Sequence, residues 1–276
     1  MSSDRLGIIA GNGRFPVMVA EAARQKGMKV TAAGFQGMVD QALADKVDEL
    51  RLFPFCLVGE ILEFLKSKNI KKAITIGTIP PSLIHETNLK MDELASMMWD
   101  KMKDRRTDTM MYLVVEILAE HGIEVLDSTI YLKELLAPQG LMAGKQPDHA
   151  QWADIRLGFK IAKAIGALDI GQTVIIKNRS IIAVEAIEGT DNAILRTKNL
   201  APKGAVVVKV AKPQQDFRFD VPAVGVATLQ AMTKTGAQIL AVEEGKVLID
   251  NNPDMIKKAA RYGITFIGVS QKQVKE

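Results

Sequence analysis

The chain alternates short apolar runs with longer segments of helical periodicity. Residues 6–10, LGIIA, are apolar and are followed by GNGRFP and the helical pattern VMVAEAARQKG. This order predicts a strand, a glycine turn and a helix, with Pro16 in the first helical turn and Gly27 at the helix end. Strand and helix patterns continue to alternate, and residues 91–121 are predicted to be helical. Such alternation predicts a parallel sheet with helices on both faces.

One stretch interrupts this alternation. Residues 137–148, APQGLMAGKQPD, concentrate proline and glycine and predict a linker. Beyond them the pattern restarts with a helix and with two strand patterns, TVIIK and SIIAVEA, which predict a hairpin around Asn178-Arg179. We therefore expect an α/β fold of two domains, with a Rossmann-like parallel sheet in residues 1–136 and a mixed α/β domain in residues 149–276.

Composition and charge narrow the class of protein. Hydrophobic residues make up 47% of the chain, and no apolar run has the length of a membrane span or the form of a secretory signal, so we expect a cytoplasmic protein. The net charge of +4 is dispersed and aromatic residues are only 5%, which argues against nucleic-acid binding. The same charge favours an anionic ligand or an anionic membrane surface. The single cysteine, Cys56, has apolar neighbours and is predicted to be a core thiol rather than a nucleophile.

The glycine turn is the first candidate binding site. In GNGRFP, Gly11 and Gly13 could let backbone amides approach a phosphate at a helix N-terminus. A redox dinucleotide is disfavoured, because Pro16 stands at the third glycine position and the second strand, KVTAAGFQG, lacks an acid to hold a ribose. A tight turn without a ligand is the remaining interpretation.

A second candidate is EGTDNAILR, residues 188–196. Its Gly-Thr-Asp turn presents free amides, a hydroxyl and a carboxylate at the start of a short helix, with Arg196 one to two turns further on. Ordinary capping of that helix by Thr190 or Asp191 explains the same residues equally well. Both interpretations stay open.

The third candidate is KPQQDFRFDVPAVG, residues 212–225. Strict alternation predicts an extended strand that places Asp216, Arg218 and Asp220 on one face, with the two carboxylates about 13 Å apart along the chain. Magnesium often uses only one or two carboxylates and takes further oxygens from water and phosphate. A solvated face with ordinary ion pairs is the alternative, but the many neighbouring polar groups favour a functional site.

In this order the motifs resemble one family, the UDP-2,3-diacylglucosamine pyrophosphatases of lipid A biosynthesis of the LpxI type, which are unrelated to the calcineurin-like enzymes of the same activity. The segments that carry the resemblance are LGIIAGNGRFP at the N-terminus, LDIGQTVIIK at 168–177, VEAIEGTDNAILR at 184–196 and VVKVAKPQQDFRFDVPAVGVATL at 207–229. The similarity spans nearly the whole chain.

The resemblance implies an activity and a set of site residues. It implies a UDP-binding N-terminal domain, a catalytic C-terminal domain with Mg2+ (or Mn2+), and hydrolysis of UDP-2,3-diacylglucosamine to UMP and 2,3-diacylglucosamine 1-phosphate (lipid X). Asp220 is the first choice for an essential carboxylate, as metal ligand or water-orienting base, and Asp216 is the second. Arg218 and Asp191 complete the predicted catalytic set. The predicted substrate-binding residues are Gly11, Asn12, Gly13, Thr190, Arg196, Lys209, Lys212 and Gln215.

The resemblance also implies partners. The lipid-linked sugar nucleotide lies in a bilayer, so we expect peripheral contact with the inner leaflet of the inner membrane and no integral anchor. A homodimer is favoured over a monomer. The rival hypotheses are a nucleotide-dependent oxidoreductase that uses the glycine turn and a non-catalytic regulator that binds a nucleotide or a lipid.

Overall fold

The chain folds into two compact units, each built around its own sheet. The computed structural model describes residues 4–80, 83, 89–200, 203–250 and 252–275. The first unit extends to Lys133 and also includes Asp216–Asp220, and the second comprises Glu134–Gln215 and Val221–Glu276. The predicted two-domain α/β architecture is therefore confirmed.

The first unit contains a parallel sheet in the order β3-β2-β1-β4-β5. The strands are β1 Arg5–Ala10, β2 Lys29–Phe35, β3 Glu49–Phe53, β4 Lys72–Ile76 and β5 Glu124–Val125. Its described helices are α1 Phe15–Gln25, α2 Val58–Ser67, α3 Glu93–Lys101 and α4 Thr107–Glu120. The strand order changes direction between β1 and β4, and ligands of open α/β sheets bind beyond the carboxyl ends of the strands at such a point.

The helical region predicted over residues 91–121 is divided into α3 and α4. The Asp104 carboxylate accepts hydrogen bonds from the backbone nitrogen of Arg106 (3.1 Å) and from Thr109 Oγ1 (2.7 Å). Such local bonds from a side chain compete with the helical backbone pattern, and they explain the break.

The second unit contains a mixed sheet in the order β6-β13-β11-β9-β7-β8, beside a two-stranded pair, β10-β12. The strands are β6 Gly140–Ala143, β7 Thr173–Lys177, β8 Ser180–Val184, β9 Val206–Lys209, β10 Ala223–Val224, β11 Ile239–Glu243, β12 Leu248–Ile249 and β13 Thr265–Val269. The described helices are α5 His149–Ala167, α6 Thr190–Leu195, α7 Val226–Thr235, α8 Asn252–Arg261 and α9 Gln271–Lys275. No helix in the described part of the chain is both long and apolar enough to cross a membrane.

The stretch predicted as a linker, residues 137–148, contains strand β6. This strand pairs antiparallel with β13 at the edge of the second sheet. The carbonyl oxygen of Pro138 would lie 1.8 Å from a Cβ at position 268, so the close approach requires Gly268. The stretch predicted as a linker is therefore in part an edge strand of the second sheet and in part a connecting segment.

The hairpin predicted around Asn178-Arg179 is present between β7 and β8. Both turn residues have positive φ angles, 50° and 61°, as the tight turns of hairpins require. The buried carboxylate of Asp154 on α5 accepts hydrogen bonds from both turn nitrogens, at 2.9 and 2.5 Å. The hairpin is thereby fixed to α5.

Cys56 should react slowly while the protein is folded. Its side chain is only 7% exposed, and burial, together with the charge of Asp92, raises the pKa of its thiol to about 11. At pH 8 about one molecule in a thousand would carry the thiolate, which is the reactive form. A colorimetric thiol assay should therefore show slow reaction in buffer and complete reaction in guanidinium chloride. Fast reaction of the folded protein would contradict a core position.

Candidate functional site

The segment Asp216–Asp220 forms a turn, and the prediction of an extended strand is wrong. The backbone nitrogen of Asp220 donates to the carbonyl oxygen of Asp216 at 3.1 Å, which closes a single helical turn. The Asp216 carboxylate accepts a hydrogen bond from the backbone nitrogen of Arg218 (3.0 Å), and bonds of this kind favour a turn over a strand. The two aspartates are therefore not held at the separation of an extended strand.

Within this turn, Asp216 and Arg218 form a paired unit. Arg218 Nη2 lies 2.6 Å from Asp216 Oδ2, and Arg218 Nε lies 3.0 Å from Asp216 Oδ1. Hydrogen bonds from the Arg218 side chain hold the pKa of Asp216 below its ordinary value, although burial opposes them. The Arg218 side chain keeps 41% of its surface exposed. Asp216 thus orients a guanidinium group that remains accessible to an anion.

Two buried hydroxyl groups of the first unit hold the backbone of the turn. Thr75 Oγ1 on β4 donates to the carbonyl oxygen of Arg218 at 2.6 Å. The single hydroxyl hydrogen of Ser128 is shared between the carbonyl oxygens of Thr75 (2.7 Å) and Arg218 (3.0 Å). The backbone nitrogen of Ser128 donates to the carbonyl oxygen of Phe217 at 2.8 Å. Sequence analysis missed both residues. The available signal was a lone threonine within the apolar strand KAITI.

Apolar contacts add to this anchor. The ring of Phe219 packs edge-on against Tyr112 of α4, with ring centroids 5.0 Å apart. It also packs against a cluster of buried methionines on and beside α3 and α4, formed by Met98, Met102, Met110 and Met111. These methionines are buried core residues that support the turn.

The glycine turn after β1 lies where the strand order changes direction, but two of its amides are already used. The backbone nitrogen of Gly11 donates to Ile76 and that of Asn12 donates to Thr78, both at 2.9 Å. A Cβ at Gly11 would lie 2.8 Å from the carbonyl carbon of Gly77, so this glycine is needed for close packing. Gly13 has a φ of 100° and open space around it. Of the three predicted residues, Gly11 is buried, whereas Gly13 and the side chain of Asn12 are exposed to a ligand.

In the second unit, Lys209 and Thr190 meet a carboxylate that sequence analysis did not identify. Lys209 Nζ, at the end of β9, donates to Thr190 Oγ1 at 2.5 Å, and this hydroxyl donates to Glu185 Oε1 at 2.6 Å. The glutamate and the lysine are only 7% and 6% exposed. Burial alone would raise the pKa of Glu185, but the charge of Lys209 and the hydrogen bonds to the carboxylate hold it below its ordinary value.

The helix α6 is not capped by Thr190 or Asp191, so the capping interpretation of these two residues is wrong. Its N-cap is Gly189, which has a φ of 79° and no side chain to offer. The Thr190 hydroxyl is engaged by Glu185, and Asp191 Oδ1 accepts from Thr228 Oγ1 at 2.8 Å. Both side chains point away from the helix backbone because tertiary partners take their hydrogen bonds.

The remaining predicted cations have carboxylate partners. Lys212 Nζ lies 2.6 Å from Asp169 Oδ1. Arg196 Nη1 lies 3.0 Å from Glu188 Oε1, in the geometry of an ion pair rather than a hydrogen bond, and its Nη2 donates to the carbonyl oxygen of Val184. A phosphate at either cation would therefore join or displace an existing pair.

A buried ion pair fixes the start of the 212–225 motif. Lys163 Nζ lies 2.6 Å from Glu243 Oε2 and also donates to the carbonyl oxygen of Ala211 at 2.7 Å. The same Glu243 oxygen accepts from the backbone nitrogen of Ala211 at 2.8 Å. At the following residue, the backbone nitrogen of Lys212 donates to Gln215 Oε1 at 3.0 Å. The chain thus enters the motif along one defined path.

The fold and these clusters define a two-unit α/β protein with an anchored Asp-Arg turn. Two family models match this chain. The model of the LpxI N-terminal domain matches residues 5–135, and the model of the LpxI C-terminal domain matches residues 138–267. Because the two models together span nearly the whole chain, the protein belongs to the LpxI family.

A relative from a named organism matches the chain from end to end. It is the UDP-2,3-diacylglucosamine pyrophosphatase LpxI of Caulobacter vibrioides, which is 26% identical to this chain over 282 residues. The match covers 98% of this chain and 99% of the relative. Among solved structures, the biotin carboxylase domain of the Hydrogenobacter thermophilus 2-oxoglutarate carboxylase shows 13% identity and a TM-score of 0.28. That match covers 73% of this chain and 42% of the other, and a score this low carries no argument about fold or function.

Removing the Ser128 hydroxyl should loosen the turn. The Ser128→Ala variant loses the hydroxyl that is shared between the carbonyl oxygens of Thr75 and Arg218, at a cost of about 1–3 kcal/mol. We expect faster hydrogen exchange at residues 216–220, measured by mass spectrometry. Ser67→Ala is the matched control, since it removes a hydroxyl-to-carbonyl bond in the same unit away from the turn. Equal exchange in the two variants would contradict the anchor.

Stability should depend on the charge of Glu185 in acid. Because its pKa is lowered in the folded protein, its contribution is present above the unfolded value of about 4.3 and is lost as the pH falls through the folded value. Glu185→Gln should be less stable by about 3 kcal/mol at pH 7, since it leaves a buried lysine without its countercharge. Below pH 4 the urea midpoints of Glu185→Gln and of the wild-type protein should lie closer together than at pH 7.

The control for this experiment is Glu63→Gln, which changes an exposed carboxylate. It should leave the urea midpoint nearly unchanged at both pH values. A Glu185→Gln midpoint that differs from wild type by the same amount at pH 7 and in acid would contradict the charged state assigned to Glu185.

Proposed function

We propose that this chain hydrolyses the pyrophosphate bond of UDP-2,3-diacylglucosamine to UMP and 2,3-diacylglucosamine 1-phosphate, a step of lipid A biosynthesis. The observation that carries the proposal is the end-to-end similarity to the pyrophosphatase of Caulobacter vibrioides. The two LpxI domain matches support it independently of that single relative.

The reaction needs charge neutralisation and a placed water. The water oxygen forms a bond to one phosphorus, the bridging P–O bond breaks, and the water's proton passes to a base while the bridging oxygen leaves with the other product. Arg218, oriented by Asp216, offers a guanidinium to the diphosphate. Asp220 closes the same turn and is the carboxylate we assign to orient the water or hold a metal.

We assign only one of the two predicted metal ligands, Asp216 and Asp220, to a metal ion. No group of three histidine, cysteine or acidic side chains able to hold a metal occurs among the described residues. Both oxygens of Asp216 face Arg218, so Asp220 is the aspartate of the turn that we assign to Mg2+ or Mn2+, with phosphate and water oxygens completing the shell. The metal would supply Lewis-acid polarisation of a phosphoryl oxygen.

The acyl chains of the substrate imply that the reaction takes place at a membrane surface. A lipid with two such chains resides in a bilayer, so we propose that the protein meets the membrane surface peripherally. The oxidoreductase hypothesis is weakened, because Gly11 and Asn12 use their amides within the fold. The regulator hypothesis is decided by whether UMP is released.

Asp220→Asn should lower the rate of UMP release by about 100-fold or more, since it removes a charge from the reacting centre while keeping the side-chain shape. The assay follows UMP from UDP-2,3-diacylglucosamine in detergent micelles with Mg2+. Asp100→Asn, an exposed change on α3, is the control and should keep full activity.

Three outcomes would each contradict a different part of the proposal: the activity, the metal requirement or the role of Asp220. No UMP from the wild-type protein with either metal would refute the activity. Full activity in the presence of EDTA would refute the requirement for a metal ion. Full activity of Asp220→Asn would refute the role of that carboxylate, and circular dichroism of the variant separates lost chemistry from lost folding.

A further inference from the structure

A cavity of about 500 Å³ lies in the second unit between α5 and α9, and of the ionic clusters described above only Lys163 contributes to its lining. Its volume falls in the range of about 300–1,000 Å³ that is usual for small-molecule sites. The residues that line it are Arg156, Phe159, Lys160, Lys163, Pro213, Gln271, Val274 and Lys275.

The charges around this cavity all have one sign. Arg156, Lys160 and Lys163 are spaced four and three residues apart on α5, so they share one face of the helix. Lys275 on α9 adds a fourth cation, and no aspartate or glutamate contributes to the lining. Four cations at one concavity repel each other, and the fold by itself gains nothing from that arrangement.

Only one of these cations is neutralised by a carboxylate. Lys163 pairs with the buried Glu243 and with the carbonyl oxygen of Ala211. Within the described ranges, Arg156, Lys160 and Lys275 have no ion pair or hydrogen bond to a side chain or carbonyl. Three cationic groups are therefore available to a ligand.

The floor of the cavity is apolar. The ring of Phe159 is almost fully buried beneath it, and Pro213 and Val274 complete the surface. A small inorganic anion would leave this floor in contact with water, and an uncharged lipid would leave the cations unpaired. Together, one guanidinium and two ammonium groups match the oxygens and double charge of a phosphate monoester.

We propose that this cavity binds a phosphate monoester that carries an apolar portion. Arg156, Lys160 and Lys275 bind the phosphate, and the apolar portion lies on Phe159, Pro213 and Val274. The ligand is either a lipid head group or a phosphorylated metabolite, which share this chemistry. The proposal does not depend on the pyrophosphatase activity.

Binding is tested by calorimetry on the full chain with octyl phosphate below its micelle concentration. Octyl phosphate should bind at least tenfold more tightly than inorganic phosphate or octyl glucoside, because each of these lacks one half of the recognised chemistry. Equal affinity for octyl phosphate and either comparison probe would overturn the proposal, as would no measurable binding of octyl phosphate.

Charge reversal locates the site. Arg156→Glu combined with Lys160→Glu should weaken octyl phosphate binding at least tenfold. The control is Lys234→Glu combined with Lys257→Glu, which makes the same change in net charge at exposed positions of α7 and α8 and should keep wild-type affinity. If the first variant does not fold, Arg156→Gln with Lys160→Gln replaces it. Unchanged affinity in a folded cavity variant would overturn the proposal.

Vesicles distinguish the two sources of the ligand. Co-sedimentation with phosphatidylcholine vesicles that contain phosphatidic acid, lost in the cavity variant, supports a lipid head group. Retained octyl phosphate binding without co-sedimentation supports a phosphorylated metabolite. Co-sedimentation that is equal for the cavity variant and the wild-type protein, together with no octyl phosphate binding, would refute the site.

Discussion

The carbonyl oxygen of Arg218 accepts hydrogen bonds from Thr75 and Ser128, and the arrangement of the Asp216–Asp220 turn depends on this anchor. A buried carbonyl without donors would cost about as much as a lost hydrogen bond, so the two hydroxyls specify one backbone path. With the backbone fixed, the Asp216 carboxylate can orient the Arg218 guanidinium, and Phe219 is directed into the methionine cluster. The chemistry we assign to this turn rests on two buried hydroxyl residues, Thr75 within the sheet and Ser128 in the turn that follows β5.

Buried charges impose a similar constraint at the end of β9. Lys209 is held by Thr190 and faces the charge of Glu185, while Lys163 and Glu243 bind both backbone groups of Ala211. Burying such pairs costs desolvation energy, and their contribution lies in geometry more than in net stability. Two ionic clusters on neighbouring residues therefore determine how the chain leaves the sheet and enters the motif.

Local sequence described the fold well and the candidate site less well. The hairpin at Asn178-Arg179 was predictable because a turn with two positive φ angles needs particular residues at adjacent positions. The functional role of the 212–225 motif stays a prediction from its polar residues. Its strand prediction failed, because the Asp216 carboxylate accepts a hydrogen bond from the backbone nitrogen two residues on. Residues 91–121 divided into two helices for the same reason, through Asp104.

The sequence by itself determined the alternation of strands and helices, the two-domain α/β class and the segments that carry charged groups, because hydrophobic periodicity and turn chemistry are local properties. It did not predict that Asp216–Asp220 belong to the first unit. Tertiary structure decided which groups meet. Thr75 lies 143 residues and Ser128 lies 90 residues from Arg218 along the chain, and Glu185 lies 24 residues from Lys209. Partners so far apart become neighbours only when the sheets assemble, and no local pattern encodes them.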